Sequence, residues 1–163
     1  VLEREGKNMI VKTKHFGEIE QDESKIIYFE NGILGFEDFK EYTLLFDNEE
    51  GDSPVISWLQ SIEEPLLALP VMSPYTVKPD YNPEVEDELL KPLGDLNDEN
   101  IVILVSLTVP NDIKKMTANM KAPFIINADS KKGCQIIAEN SDYEVRYMIH
   151  DILKSLKEEK GAK

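Results

Sequence analysis

Few side chains in this sequence are of a kind that does covalent or metal chemistry, and their spacing keeps them apart. Two histidines, His15 and His150, and one cysteine, Cys134, make up the whole set. No other Cys or His stands near any of them at zinc-ligand spacing. Cys134 lies in an apolar run and reads as a small apolar strand residue rather than half of a nucleophile–base dyad. Gly32 and Gly35 bracket an apolar loop, but acidic residues follow them where a phosphate loop needs Lys-Ser/Thr. The acidic turn Asp47–Pro54 superficially suggests calcium. Gly51, however, falls at the fifth position, where a ligand belongs, and no Glu stands at the twelfth. With 32 acidic residues, chance carboxylate pairs are inevitable. A hydrolase would need two of them converging in a cleft, and the sequence carries no sign of that. The reading is of a chain with no enzymatic activity, cofactor or metal.

The more suggestive residues are apolar or adaptable side chains in turn-rich stretches. Phe36, Tyr75, Tyr81, Met116, Asn119 and Met120 are the candidates for contact with a protein partner. Aromatics on loops anchor interfaces, and methionine fits differing helix faces. Each candidate has a competing structural role. Phe36, like Trp58, could close a barrel end, Met116 could plug one, and Asn119 could bond local backbone to shape a turn. A different arrangement of the same aromatics, around an enclosed cavity, would make a small-ligand-binding barrel.

Charge narrows the choice of partner. Residues 17–100 hold 22 acidic and 4 basic side chains, a balance of −18 within a whole-chain net charge of −14. A phosphate backbone would be repelled, so direct nucleic-acid binding is not expected. A basic protein would be attracted and steered, although such a surface also serves solubility.

These residues need a scaffold, and the patterning describes one. The chain has 163 residues, the size of one domain. Met9–Lys14, Gly17–Glu20, Ile26–Phe29, Tyr42–Phe46, Ile56–Ile62 and Leu66–Met72 read as strands. Pro70 demotes the last to an edge or a bulge. Ile101–Val109 is apolar on both faces and reads as a central strand. Phe124–Asn127 and Cys134–Ala138 flank a turn and read as a hairpin, with Met116–Pro123 as the elbow that feeds it. A short helix is expected from Pro83 to Leu90, capped by Asn82. An amphipathic helix is expected from about Met148 to Glu158, with the tail fraying after it. The result is a mainly β chain: a small antiparallel β-barrel or sandwich of about nine short strands with one or two short helices, including a C-terminal one. Residues 1–8 read as an N-terminal extension ahead of Met9, 9–147 as a single β-barrel domain, and 148–163 as helix and tail. The unpaired cysteine, the polar start and the lack of any apolar run near ~18 residues suggest a cytoplasmic chain with no membrane span.

Three pieces of sequence resemble the flagellar assembly factor family, FliW. They are Gly32-Ile33-Leu34-Gly35-Phe36-Glu37; Trp58-Leu59-Gln60-Ser61 with Glu64-Pro65 and the Pro74–Tyr81 connection; and Leu107-Thr108-Val109-Pro110 through Met116-Thr117-Ala118-Asn119-Met120-Lys121-Ala122-Pro123 to Ile126-Asn127. The resemblance implies a small cytoplasmic β-barrel protein without enzymatic activity. It implies two protein partners: flagellin, bound before export, and CsrA, the carbon storage regulator, a basic translational repressor of flagellin synthesis. A groove edged by Tyr75, Tyr81 and Met120 would suit an amphipathic flagellin helix. A homodimer is compatible with the sequence, but no isologous patch is specified. The C-terminal helix is where the chain departs from the family's usual short end.

Overall fold

The computed structural model describes residues 7–46 and 56–161. The acidic turn Asp47–Pro54 lies outside them, as do residues 1–6 and 162–163. Eleven strands and two helices follow in chain order: β1 (Asn8–Lys12), β2 (Glu18–Asp22), β3 (Ile27–Phe29), β4 (Glu41–Phe46), β5 (Ser57–Ser61), β6 (Ala68–Met72), α1 (Asp87–Leu90), β7 (Ile101–Thr108), β8 (Thr117–Ala118), β9 (Phe124–Asn127), β10 (Lys132–Gln135), β11 (Tyr147–Met148) and α2 (His150–Gly161).

Seven of the strands close a barrel in the order β7-β6-β5-β4-β3-β10-β9, with β9 returning to β7. Neighbours run antiparallel except β3 and β10, which pair parallel through Tyr28 and Phe29 with Lys132 and Gly133. Hydrogen-bond patterns local to the sequence hold no trace of that pair, whose members lie about a hundred residues apart. The interior is filled by Phe29, Tyr42, Leu59, Val71 and Phe124, each 0% exposed. Phe29 meets Tyr42 and Phe124 edge-on at 5.4 and 6.2 Å, the geometry aromatic quadrupoles favour. Gly133 permits this packing, because a Cβ there would stand 2.9 Å from the Phe29 ring. Among the described residues the interior is filled with side chains, which argues against the enclosed cavity that a small-ligand barrel requires.

The central strand is β7, as its apolar run suggests. One edge pairs with β6 through Val105 and Ser106. Its other edge is shared: Ile101–Leu104 pair with β9, while Leu107 and Thr108 pair with β8. The registers differ by three residues, and Asn119–Pro123 is the slack that absorbs the difference. Pro70 in β6 sits opposite Trp58, outside the residues that pair with β7, so its missing N–H breaks no bond there.

The hairpin β1–β2 lies against the barrel as a separate sheet. Val11 is buried, the Lys14 backbone N–H donates to Gln60 Oε1 at 3.0 Å, and Gln21 Nε2 donates to Thr43 Oγ1 at 3.0 Å.

Two helices differ from expectation in extent. α1 is only Asp87–Leu90, with Glu86 at its N-cap instead of Asn82. The cause is competition for backbone groups. Glu84 N–H donates to Asn140 Oδ1 at 2.6 Å, and the Glu84 carbonyl accepts from Glu139 N–H at 2.8 Å. Those bonds hold Pro83–Glu86 out of the helix. At the C-terminus, Tyr147–Met148 forms β11 against β8, so α2 begins at His150, two residues later than its apolar spacing suggests.

Candidate protein-binding surface

Two of the three signature stretches meet on one side of the barrel, joined by one side chain. In the first, Ile33 is buried in the barrel core while Leu34 and Phe36 are exposed. The loop is held in shape by its own groups. Phe36 N–H donates to the Ile33 carbonyl at 2.7 Å, and Gly35 N–H donates to both Glu37 carboxylate oxygens at 2.9 and 3.1 Å. Gly32 has φ +69°, and a Cβ there would lie 2.6 Å from the Glu37 Cα. Only glycine fits that position. From β10, Gln135 Oε1 accepts from Leu34 N–H at 2.9 Å, and its Nε2 donates to the Ala122 carbonyl at 3.1 Å. Gln135 therefore ties the Phe36 loop to the elbow.

The elbow is a knot of backbone hydrogen bonds. Asn119 N–H continues the β8 pairing to the Ser106 carbonyl at 2.9 Å. Asn119 Oδ1 then accepts from both Lys121 and Ala122 N–H at 3.1 Å, which turns the chain toward β9. The Met120 and Lys121 backbones bond to Glu144 and Ala138, and Lys121 Nζ reaches the Asn140 carbonyl at 2.6 Å. The elbow thus braces the segment that leads to α2.

Beside it stands a cluster of three tyrosines. Tyr81 Oη donates to the Met120 carbonyl at 2.7 Å. Its ring stacks on Tyr143 at 4.8 Å and meets Tyr75 edge-on at 5.9 Å. Burial, then the neighbouring Tyr143 and Tyr75, push the Tyr81 phenol far above its ordinary pKa. Tyr143 Oη accepts from Asn82 N–H at 2.7 Å, and Lys78 Nζ lies 5.6 Å from its ring centroid.

The six candidate residues divide accordingly. Phe36 and Tyr75 are exposed, at 38% and 42%, and Asn119 is half-buried. Tyr81, Met116 and Met120 are 5% exposed or less and belong to a second core cluster between β7, β8 and α2. The groove expected between Tyr75, Tyr81 and Met120 is closed here. Tyr81 is held inward by its bond to Met120, and the apolar side of α2 packs against the same cluster through Ile152 and Leu153, just after Ile149, which belongs to it. Sequence reasoning passed over Gln135, Asn140 and Tyr143. Their partners lie 13 to 101 residues away in the chain, and no local pattern announces them.

The described carboxylates of the acidic half lie at the surface. Among the described residues of that half, Asp22 and Glu64 are half-buried and the other acids are exposed. No described group of three or more His, Cys, Asp or Glu side chains is placed to hold a metal. A shallow cleft of about 140 Å³ opens outside the barrel between β3, β10 and Leu89–Leu93. Cys134 lines it, half-buried, with its thiol pushed up to about 11 by burial. A thiol so protonated is a poor nucleophile. No helix among the described residues is long and apolar enough to cross a membrane.

Comparison with known proteins gives one consistent answer. The family model described as FliW protein matches residues 10–149. The flagellar assembly factor FliW of Lachnospira eligens is 59% identical over 147 residues, covering 90% of this chain and 97% of that one. The flagellar assembly factor FliW of Lachnoclostridium phytofermentans is 55% identical over 143 residues, covering 88% and 92%. A crystal structure of the flagellar assembly factor FliW superposes with a TM-score of 0.78 at 31% identity, covering 86% of this chain and 96% of that one.

Proposed function

The chain belongs to the FliW family of flagellar assembly factors, and from that premise we propose that it is a non-enzymatic, cytoplasmic protein-binding regulator. It binds flagellin and the translational repressor CsrA, and so relieves CsrA repression of flagellin synthesis and supports flagellum assembly. Flagellin awaiting export occupies the chain and leaves CsrA free to silence the message. Export of flagellin returns the chain to CsrA.

The observation that carries this reading is the pairing of an acidic half, −18 over residues 17–100 and with its described carboxylates mostly exposed, with exposed apolar side chains at Leu34, Phe36 and Tyr75. The acids attract and steer a basic repressor. The apolar side chains supply contact area for a flagellin segment. Residues of the acidic half act at long range, so the CsrA complex should weaken as salt rises.

The test is retention of flagellin and of CsrA by the purified chain, together with loss of CsrA from a flagellin leader RNA when the chain is added. Retention of neither partner would sink the proposal. A CsrA affinity unchanged across a salt series would remove the electrostatic part alone.

A further inference from the structure

The barrel end that carries the Phe36 loop also carries the loop at residues 61–67. Strands β3 to β6 run antiparallel in turn, so the β3–β4 and β5–β6 connections emerge at the same end. One carboxylate latches the two together: Glu63 Oε1 accepts from the Lys40 and Glu41 N–H groups, both at 2.7 Å.

The 61–67 loop is fixed from beneath by Gln60, which is 1% exposed. Its Nε2 donates to the carbonyls of Ser61, Pro65 and Leu67 at 3.0, 3.1 and 3.2 Å. Glu64 N–H donates to Ser61 Oγ at 3.0 Å, Leu67 N–H to the Glu64 carbonyl at 3.0 Å, and Ser61 N–H to the Leu67 carbonyl at 2.9 Å. These bonds hold the backbone on both sides of Leu66, whose side chain is 73% exposed, more than any other large apolar residue described. A lone exposed leucine is ordinary on a protein surface. This one differs in its mounting. Both flanking carbonyls are tied to a buried amide, so a contact made through Leu66 orders little that is not already ordered.

The surroundings carry one sign of charge. Residues 30–41 and 61–67 hold six acidic side chains, Glu30, Glu37, Asp38, Glu41, Glu63 and Glu64, and one basic, Lys40. Lys40 Nζ donates to the Glu30 and Glu37 carbonyls at 2.9 and 3.3 Å. None of the ion pairs among the described residues involves these acids. A rigid apolar knob among unpaired carboxylates complements a basic surface that offers an apolar pocket.

We propose that the 61–67 loop is a contact surface for a basic protein, with Leu66 as the anchor that enters an apolar pocket and Glu41 and Glu64 as charges that meet the partner's cations. That the basic protein is CsrA rests on the reading above; the chemistry of the surface does not.

The test titrates CsrA at low and high salt against the unaltered chain, Leu66→Ala, Leu66→Met, and a form with both Glu41→Gln and Glu64→Gln. A flagellin C-terminal segment is titrated in parallel. Leu66→Ala should weaken CsrA binding about tenfold or more, mainly through faster dissociation. Its salt dependence and its urea unfolding midpoint should match those of the unaltered chain, because the side chain is exposed and uncharged. Leu66→Met keeps the apolar bulk and should bind as the unaltered chain does. The doubly neutralised form should associate more slowly with CsrA and show a flatter salt dependence. Flagellin affinity should be the same for Leu66→Ala as for the unaltered chain. CsrA affinity unchanged in Leu66→Ala would overturn the proposal and leave the CsrA reading standing. An equal loss of flagellin affinity in Leu66→Ala would overturn it as well, since the anchor would then select no basic partner. CsrA bound by no form, the unaltered chain included, would remove the CsrA reading and this contact together.

Discussion

Replacing Gly32 by alanine separates two effects that usually arrive together. Gly32 and Gly35 both have positive φ, at +69° and +88°. An L-residue in that region costs about 1–2 kcal/mol. Both replacements also stiffen the unfolded chain, worth about 0.4–1 kcal/mol in the opposite direction, and that effect cancels between them. What differs is space. A Cβ at Gly35 meets nothing within 4 Å, whereas one at Gly32 lies 2.6 Å from the Glu37 Cα and 2.7 Å from its carbonyl oxygen. Both atoms belong to the backbone, so the loop itself must move, at an overpacking cost of about 1–3 kcal/mol. Gly32→Ala should therefore be about 1–3 kcal/mol less stable than Gly35→Ala. Urea unfolding, followed by far-UV circular dichroism and by the single tryptophan Trp58, measures the difference. Equal stabilities would refute the close approach to Glu37 as the reason for glycine. A loss of flagellin or CsrA binding in Gly35→Ala without a loss of stability would place the loop in the interface.

Asn119→Ala leaves two backbone N–H groups without an acceptor and should cost about 1–3 kcal/mol, while Asn119→Asp keeps the acceptor and should cost less; equal losses in urea unfolding would mean that the amide oxygen does not shape the elbow. Tyr81→Phe should destabilise by about 0.5–1.5 kcal/mol through loss of the bond to the Met120 carbonyl, and no change would mean that the bond contributes nothing net. Burial raises the folded-state pKa of the Cys134 thiol to about 11 and of the Tyr42 phenol to about 12. Stability is then whole below their unfolded values and declines as pH rises toward the folded ones, from about 9 upward; Cys134→Ala should flatten the lower part of that decline in urea titrations, and an unchanged profile would argue against it. His15 stands 4.0 Å from Trp58, and burial, then the Lys14 charge, lower its pKa below the ordinary 6.5. Trp58 emission should drop on acidification through a midpoint below that value, and the step should vanish in His15→Gln; a step that survives would assign it to another group.

Local pattern carried much of this fold. β7 was legible because an unbroken apolar run needs cover on both faces, and the elbow because small polar residues followed by Pro123 interrupt two such runs. The C-terminal helix was legible from apolar spacing at Ile149, Ile152, Leu153 and Leu156. Long-range hydrogen bonds were not. Asn140 takes the Glu84 N–H that a helix start would have left free, and nothing near Asn82 signals that competitor. Tyr81 and Met120 belong to a turn-rich connection and an elbow, the kind of place where side chains face water. Their burial follows from the Tyr143 ring and from α2, which arrive from the far end of the chain. Phe36 and Tyr75 remain exposed because their segments turn outward on their own backbone bonds.

The parallel pairing of β3 with β10 has a consequence for synthesis. Translation delivers the chain from its N-terminus, and β3 emerges about a hundred residues before the strand that flanks it. Until then Ile27, Phe29 and Tyr42 lack Phe124 and Ile126, the side chains that complete their enclosure. The nascent chain therefore carries an unfinished wall with an open edge through most of its elongation, and only the last quarter of the polypeptide can shut it. Closure over so long a loop is slow, and the waiting intermediate exposes sticky surface. The unfinished wall is thus exposed for most of the chain's synthesis.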